Sequence, residues 1–392
     1  MQTNTPSDTI YLDHAASTPL GEPVLEAMMP YLTTHHGNPS SVHRWGRQAR
    51  VAVEEARERV ARCIGAEPSE VVFTSGATEA NNWVLRKRLA DAGPGAHLVT
   101  SVVEHEAVLE PASDLEAAGH RVTRLVPDRY GRISPDQVEA VLDDDTALVS
   151  LMHVNNETGA RTDIPAIAEV CHARGVALHS DTVQSMGLLQ NDVQALGVDY
   201  ATISGHKLYG PKGVGALYVR GGHALAPLIE GGSQERDQRG GTENVAGVVG
   251  LAAALEQAYE RAPDESERLA ALQELLMQQL HDALGSSIVC NTPPEADHRA
   301  PHIVNVAVPP KNGDRVDGEM LILNLDMKGI LASAGSACTS GTLTPSHVLS
   351  GIGLDDATAA AAVRFSMGAE TTEAHLRHAV EVLHATVDRM QS

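Results

Sequence analysis

The chain has 392 residues, 42% of them apolar, which is enough for a large core and for more than one domain. Its 51 acidic residues outweigh 29 basic ones, and a formal charge of -22 argues against an electrostatic grip on nucleic acid or on an anionic membrane. Aromatic residues make up only 3%, so stacking on a planar ligand is expected to come from something other than Phe, Tyr or Trp.

The first ten residues are polar and lack a basic start, so no signal peptide is expected. No apolar run reaches the roughly 18 residues of a membrane span, and the cytoplasm is the expected compartment. From Val71 the chain alternates short β-rich runs with helix-like segments. The runs are "VVFTS" (71–75), "HLVTSVV" (97–103), "RVTRLV" (121–126), "ALVSLM" (147–152), "VALHSD" (176–181), "YATIS" (200–204) and "GALYVR" (215–220). Between them lie patterns such as "IPAIAEVCHARG", with Asp163 as its N-cap and Gly175 at its end. The alternation reads as an α/β fold, a mostly parallel sheet with helices on both faces. After Glu256 the texture changes. A Pro/Asp/Glu-rich break precedes the long amphipathic "SERLAALQELLMQQLHDALG", and then come a Pro-rich loop, a strand "HIVNVAV", a helix "DGEMLILNLDMKG" and a strand-like "AAVRFSMG". This second part reads as a smaller α+β domain.

Open α/β sheets bind ligands beyond the C-terminal ends of their strands. Five such ends here carry polar groups. "GATEANN" is a glycine turn that opens a helix with Thr78 in its first turn, an arrangement suited to phosphate. His105 follows the second run, Asn155 and Asn156 the fourth, Asp181 and Gln184 the fifth, and Ser204, His206 and Lys207 the sixth. Each has a plain alternative: Asp181 could cap the next helix, His105 could be a satisfied interior group, and the glycine turn could be only a turn. Lys207 is harder to dismiss, because a lysine at the end of a buried strand is costly unless it is paired or reactive.

The four cysteines are scattered, with no C-x-x-C pair to suggest a metal or an iron–sulfur cluster. Cys63, Cys171 and Cys290 lie in or beside apolar patterns and read as structural. Cys338, in the small, polar "SAGSACTSGTLTP", reads as a thiol on a loop and hence a reactivity candidate.

Taken together, "YLDHAASTP", "GNPSSVHRWG", "FTSGATEANN", "EHEAVL", "HVNNETG", "SGHKLYGPKGVGALYV", "GGSQERDQRGGTENV", "SAGSACTSG" and "VRFSMG" resemble the cysteine desulfurases of the NifS/IscS type, within the class V, fold-type I pyridoxal-phosphate enzymes. The resemblance covers nearly the whole chain. It implies a large domain over 16–257 with a seven-stranded sheet, and a small domain over 1–15 and 258–392 that carries the cysteine loop. It implies that Lys207 holds pyridoxal 5'-phosphate covalently, Asp181 pairs with the pyridine nitrogen, Gln184 with the ring hydroxyl, and His105 stacks on the ring. Ala77, Thr78, Ser204 and His206 would bind the phosphate, with Thr242 reaching it from a neighbouring subunit of a homodimer. Asn156 and Arg364 would take the substrate carboxylate, and Cys338 would accept sulfur from L-cysteine. The sulfur would pass to iron–sulfur scaffold proteins or tRNA-thiolation enzymes. Two other readings stand beside this one: a class V aminotransferase or selenocysteine lyase, and a non-catalytic scaffold. The sequence departs from the family's usual pattern at His14, Ala15 and Ala16, and beyond "VRFSMG" only one helix is expected.

Overall fold

The computed structural model describes residues 9–189, 192–334 and 345–391. Its strands are β1 (Ile10–Tyr11), β2 (Val71–Thr74), β3 (His97–Ser101), β4 (Arg121–Leu125), β5 (Thr146–Ser150), β6 (Ala177–Asp181), β7 (Tyr200–Ser204), β8 (Gly215–Val219), β9 (Val289–Cys290), β10 (Ile303–Ala307), β11 (Ile330–Leu331) and β12 (Ala362–Ser366). Seven of them form one sheet in the order β2-β8-β7-β6-β5-β3-β4. Only β8 runs against its neighbours; the other pairings are parallel. All seven runs expected from the sequence are strands, each within a residue or two of its expected start and end.

The central strands are buried along their whole length, so apolar residues fill both faces. Successive residues point to opposite sides. Val99, Val149, Leu178 and Ala201 join the larger cluster, with the Arg44–Ile64 helix behind them. Leu98, Leu148, Ala177 and Tyr200 join the other cluster, against Trp83, Val84 and Val108. The expected cap also forms: the Asp163 carboxylate accepts from the Ala166 N–H at the start of the Ile164–Ala173 helix.

A third cluster gathers Leu12, Val304, Val306, Val363 and Phe365 around the antiparallel sheet β12-β10-β9 and the Glu373–Met390 helix. The break expected before "SERLAALQ" does not exist. A single helix, Val245–Leu284, runs through Pro263. Its first half packs Val248, Leu251 and Leu255 into the large core, and its second half packs Leu269, Leu276 and Leu280 into the small one. Pro263 lies on the exposed side, where the carbonyl left without a helical donor can be hydrated.

Candidate active site

The C-terminal strand ends converge on one cavity of about 610 Å3. Ala77, Thr78, His105, Asn156, Asp181, Gln184, Ser204, His206, Lys207 and Arg364 all line it. Of the expected site residues, two are not in that group. Thr242 is exposed on the segment preceding the Val245–Leu284 helix, away from this chain's own cavity. Cys338 lies outside the described residues.

Lys207 follows β7 in a tight turn that returns the chain as β8. The turn contains Tyr209 with φ 61°, a left-handed backbone rarely adopted by an aromatic residue. Tyr209 is held on three sides: its N–H donates to the Thr18 hydroxyl, its carbonyl accepts from Gly21 N–H, and its phenol oxygen accepts from Ala369 N–H. The Lys207 amine donates to the carbonyls of Ala15 and Ala16, the latter at 2.9 Å. Burial, and then the nearby Arg364 guanidinium, push this amine down to about 8.

Asp181 is buried at the end of β6. One of its oxygens accepts from Val183 N–H at 3.1 Å in a turn; the other accepts from the Asn81 amide at 2.7 Å. The next helix, Val193–Leu196, is capped by Asp192, so Asp181 does not take the capping role open to it in the sequence. Gln184 donates to Ala15 O at 2.9 Å, and its own oxygen faces His302 Nε2 at 3.2 Å. Burial drives His302 down to about 3, so that ring is neutral and donates from Nε2. His105 caps the Glu106–Ala117 helix, its Nδ1 accepting from Ala107 N–H at 3.0 Å, while the side chain stays exposed at the cavity. Burial and the amines of Lys207 and Lys212 push His206 down to about 4, so it too is neutral.

Arg364 comes from β12 across the cavity. Its guanidinium pairs with Asp13 at 2.8 Å and donates to Asn156 O at 2.8 Å. Three neighbours went unnoticed in the sequence: the Ala15 carbonyl, Asn81 and His302. Only Asn81 had a signal, lying one turn beyond Ala77 on the cavity-lining helix.

The pocket suits pyridoxal phosphate on its own chemistry. It joins a weakly basic lysine, a buried carboxylate held by donors, and the start of the Ala77–Ala92 helix, whose first-turn N–H groups favour an anion. The three described cysteines are unsuited to nucleophilic work. Burial pushes Cys63 up to about 11, Cys171 up to about 12, and Cys290 upward as well.

Residues 10–378 match the class-V aminotransferase family. The chain is 43% identical over 384 residues to a protein from Dictyoglomus turgidum called cysteine desulfurase IscS, covering 98% of this chain and 95% of that one. It is 42% identical over 387 residues to a cysteine desulfurase from a Nostoc species, with 98% and 94% covered. Among solved structures it is similar to a NifS-like protein, with a TM-score of 0.88, 33% identity, and coverage of 97% of this chain and 100% of that one. It is also similar to SspA in complex with cysteine, with a TM-score of 0.80, 37% identity, and 92% and 99% covered. No helix among the described residues is long and apolar enough to cross a membrane.

Proposed function

The chain belongs to the cysteine desulfurases of the class-V aminotransferase family, and from that premise we propose how its residues turn L-cysteine into L-alanine and a protein-bound sulfur. It is a pyridoxal-phosphate enzyme. Bound in the cavity, the cofactor supplies a protonated ring that withdraws electrons from the substrate carbon.

In our reading, Lys207 holds the cofactor and moves protons, and its depressed basicity supports both tasks, since an uncharged amine is needed. Asp181 keeps the ring nitrogen protonated, Gln184 faces the ring hydroxyl, and His105 covers the ring. Ala77, Thr78, Ser204 and His206 cradle the phosphate, and Thr242 completes the phosphate site of a second subunit. Arg364 and Asn156 grip the substrate carboxylate. Asp13 holds the guanidinium in place for that two-pronged contact.

Cys338 is the sulfur acceptor. On either side of its segment, Ser333 is hydrogen-bonded to the backbone of Arg364, and His347 lines the cavity. The Cys338 thiolate attacks the substrate sulfur; the carbon–sulfur bond breaks, its electron pair stays on carbon, and a proton completes alanine. The sulfur remains as a persulfide on Cys338. It then passes to acceptors such as iron–sulfur scaffold proteins or tRNA-thiolation enzymes in the cytoplasm. We also place the domain division at 257/258, with residues 1–15 belonging to the smaller part.

The observation that carries this reading is the meeting of Lys207, Asp181 and Arg364 in one cavity. The test is an assay of alanine and sulfide released from cysteine. Cys338→Ala is expected to bind cofactor and cysteine but release almost no product, while Cys63→Ala, Cys171→Ala and Cys290→Ala keep most activity. Normal turnover in Cys338→Ala, or a persulfide mapped to another cysteine, would overturn it.

A further inference from the structure

Behind Asp181 lies a file of four side chains, Asn81, Thr202, His179 and Ser150, each with no exposed surface. They come from the Ala77–Ala92 helix and from β7, β6 and β5. The Asn81 amide nitrogen donates to Asp181 Oδ2 at 2.7 Å, and the Thr202 hydroxyl donates to Asn81 Oδ1 at 2.7 Å. Thr202 Oγ1 lies 3.1 Å from His179 Nε2, and His179 Nδ1 lies 2.8 Å from Ser150 Oγ.

Chemistry leaves one way to place the hydrogens. A carboxylate only accepts, so Asn81 must turn its NH2 to Asp181 and its carbonyl to Thr202. Thr202 spends its single hydrogen on that carbonyl and can only accept from His179, which puts the imidazole hydrogen on Nε2. Burial pushes His179 down to about 4, so its other nitrogen is bare and accepts from the Ser150 hydroxyl. Every hydrogen then points along the file toward Asp181, and bonds aligned head to tail polarise one another.

We propose that Ser150, His179, Thr202 and Asn81 act as a directional relay that holds Asp181 as a carboxylate and so sets the proton affinity of the cofactor ring it faces. These are positioning residues: Ser150, His179 and Thr202 lie outside the cavity lining, and Asn81, at its wall, acts through Asp181. The inference rests on the reading of the cavity as a pyridoxal-phosphate site. Without its donors the carboxylate would draw the ring proton to itself. The ring would become less electron-poor, and the nitrogen linking it to Lys207 more basic.

Asp181 also acts electrostatically on Lys207 and on Glu104, whose carboxyl burial pushes up to about 8. Glu104→Gln is therefore the control for a titration that belongs to that carboxyl instead. The experiment is a pH titration of the cofactor absorbance in the holoenzyme. Thr202→Val, which keeps shape but removes the hydroxyl two links from Asp181, is expected to raise the midpoint by about half a unit, a threefold change in proton affinity. Thr202→Ser should restore it, and Ser150→Ala should shift it in the same direction by less. A purely structural network would lose stability in Thr202→Val without moving the midpoint, and that result overturns the relay alone. A wild-type protein that takes up no cofactor overturns the site reading and the relay with it. If Thr202→Val does not fold, nitrogen NMR of wild-type protein labelled at histidine decides: Nδ1 protonation at His179 would reverse the file and sink the proposal.

Discussion

Two influences push the Lys207 amine down and two pull it back. Burial and Arg364 lower it to about 8, against the weaker opposing pull of Asp13 and Asp181. The folded value thus lies below the ordinary 10.5, so the folded chain gives up this proton before the unfolded chain does. Two outcomes follow from that sign. Cofactor uptake by apo-protein needs the uncharged amine, and its rate is expected to rise with pH to a midpoint near 8; stopped-flow absorbance measures it. Apo-protein stability should rise from about pH 8 to 10.5, where only the unfolded chain keeps the proton, and Lys207→Met should flatten that rise. Arg364→Met should move the uptake midpoint upward by less than the full displacement, because burial is the larger cause. A wild-type midpoint near 10.5 would mean a solvated amine. The unusual setting of Lys207 was legible in the sequence because the signal is local, a charge at a buried strand end. Its carbonyl partner Ala15 was not legible, because that residue arrives from 192 positions away, and Asn81 reaches Asp181 across 100. No periodicity encodes such meetings.

At the level of elements, the phosphate cradle we propose depends on two backbones approaching closely. Gly215 begins β8 opposite Thr74 and Ser204, where a Cβ would stand 2.4 Å from Ile203 O and 2.8 Å from Gly76 Cα. Backbone cannot yield as a flexible side chain does. Gly215→Ala should therefore push the start of the Ala77–Ala92 helix away from the Lys207 turn. We expect pyridoxal-phosphate affinity to fall about tenfold or more, read by equilibrium titration. Unchanged affinity would show that the two segments part without consequence. The strands themselves were readable because both-face burial leaves unbroken apolar runs between polar stops. The long helix was misread at Pro263, where local rules favour a break. Packing of Leu251 and Leu255 on one side of it and Leu269 and Leu276 on the other outweighs that local preference.

Across the whole molecule, the helix Glu22–Thr33 leaves Leu25, Met29 and Leu32 between 41% and 57% exposed at helical spacing, with Trp45 at 47% on the next helix. Such a stripe is costly to leave wet on a chain that otherwise carries 51 acidic residues on 392. With Thr242 also exposed, we expect a dimer by sedimentation, and Leu32→Glu should weaken both the dimer and cofactor retention. A monomeric wild type that holds pyridoxal phosphate tightly would contradict this. The stretch Leu12–Thr18 has a different bearing on the molecule. It hydrogen-bonds Ser366 through Leu12, His14 and Ala15, pairs Asp13 with Arg364, and supplies the carbonyls that meet Lys207. This early stretch is thus locked by a strand that follows it more than 350 positions later. During synthesis the seven-stranded sheet can be complete, with Lys207 already in its turn, while the amine still lacks its Ala15 and Ala16 partners and the Arg364 charge. The lysine therefore reaches this setting only after β12 has emerged, and cofactor capture at Lys207 is expected to wait until then.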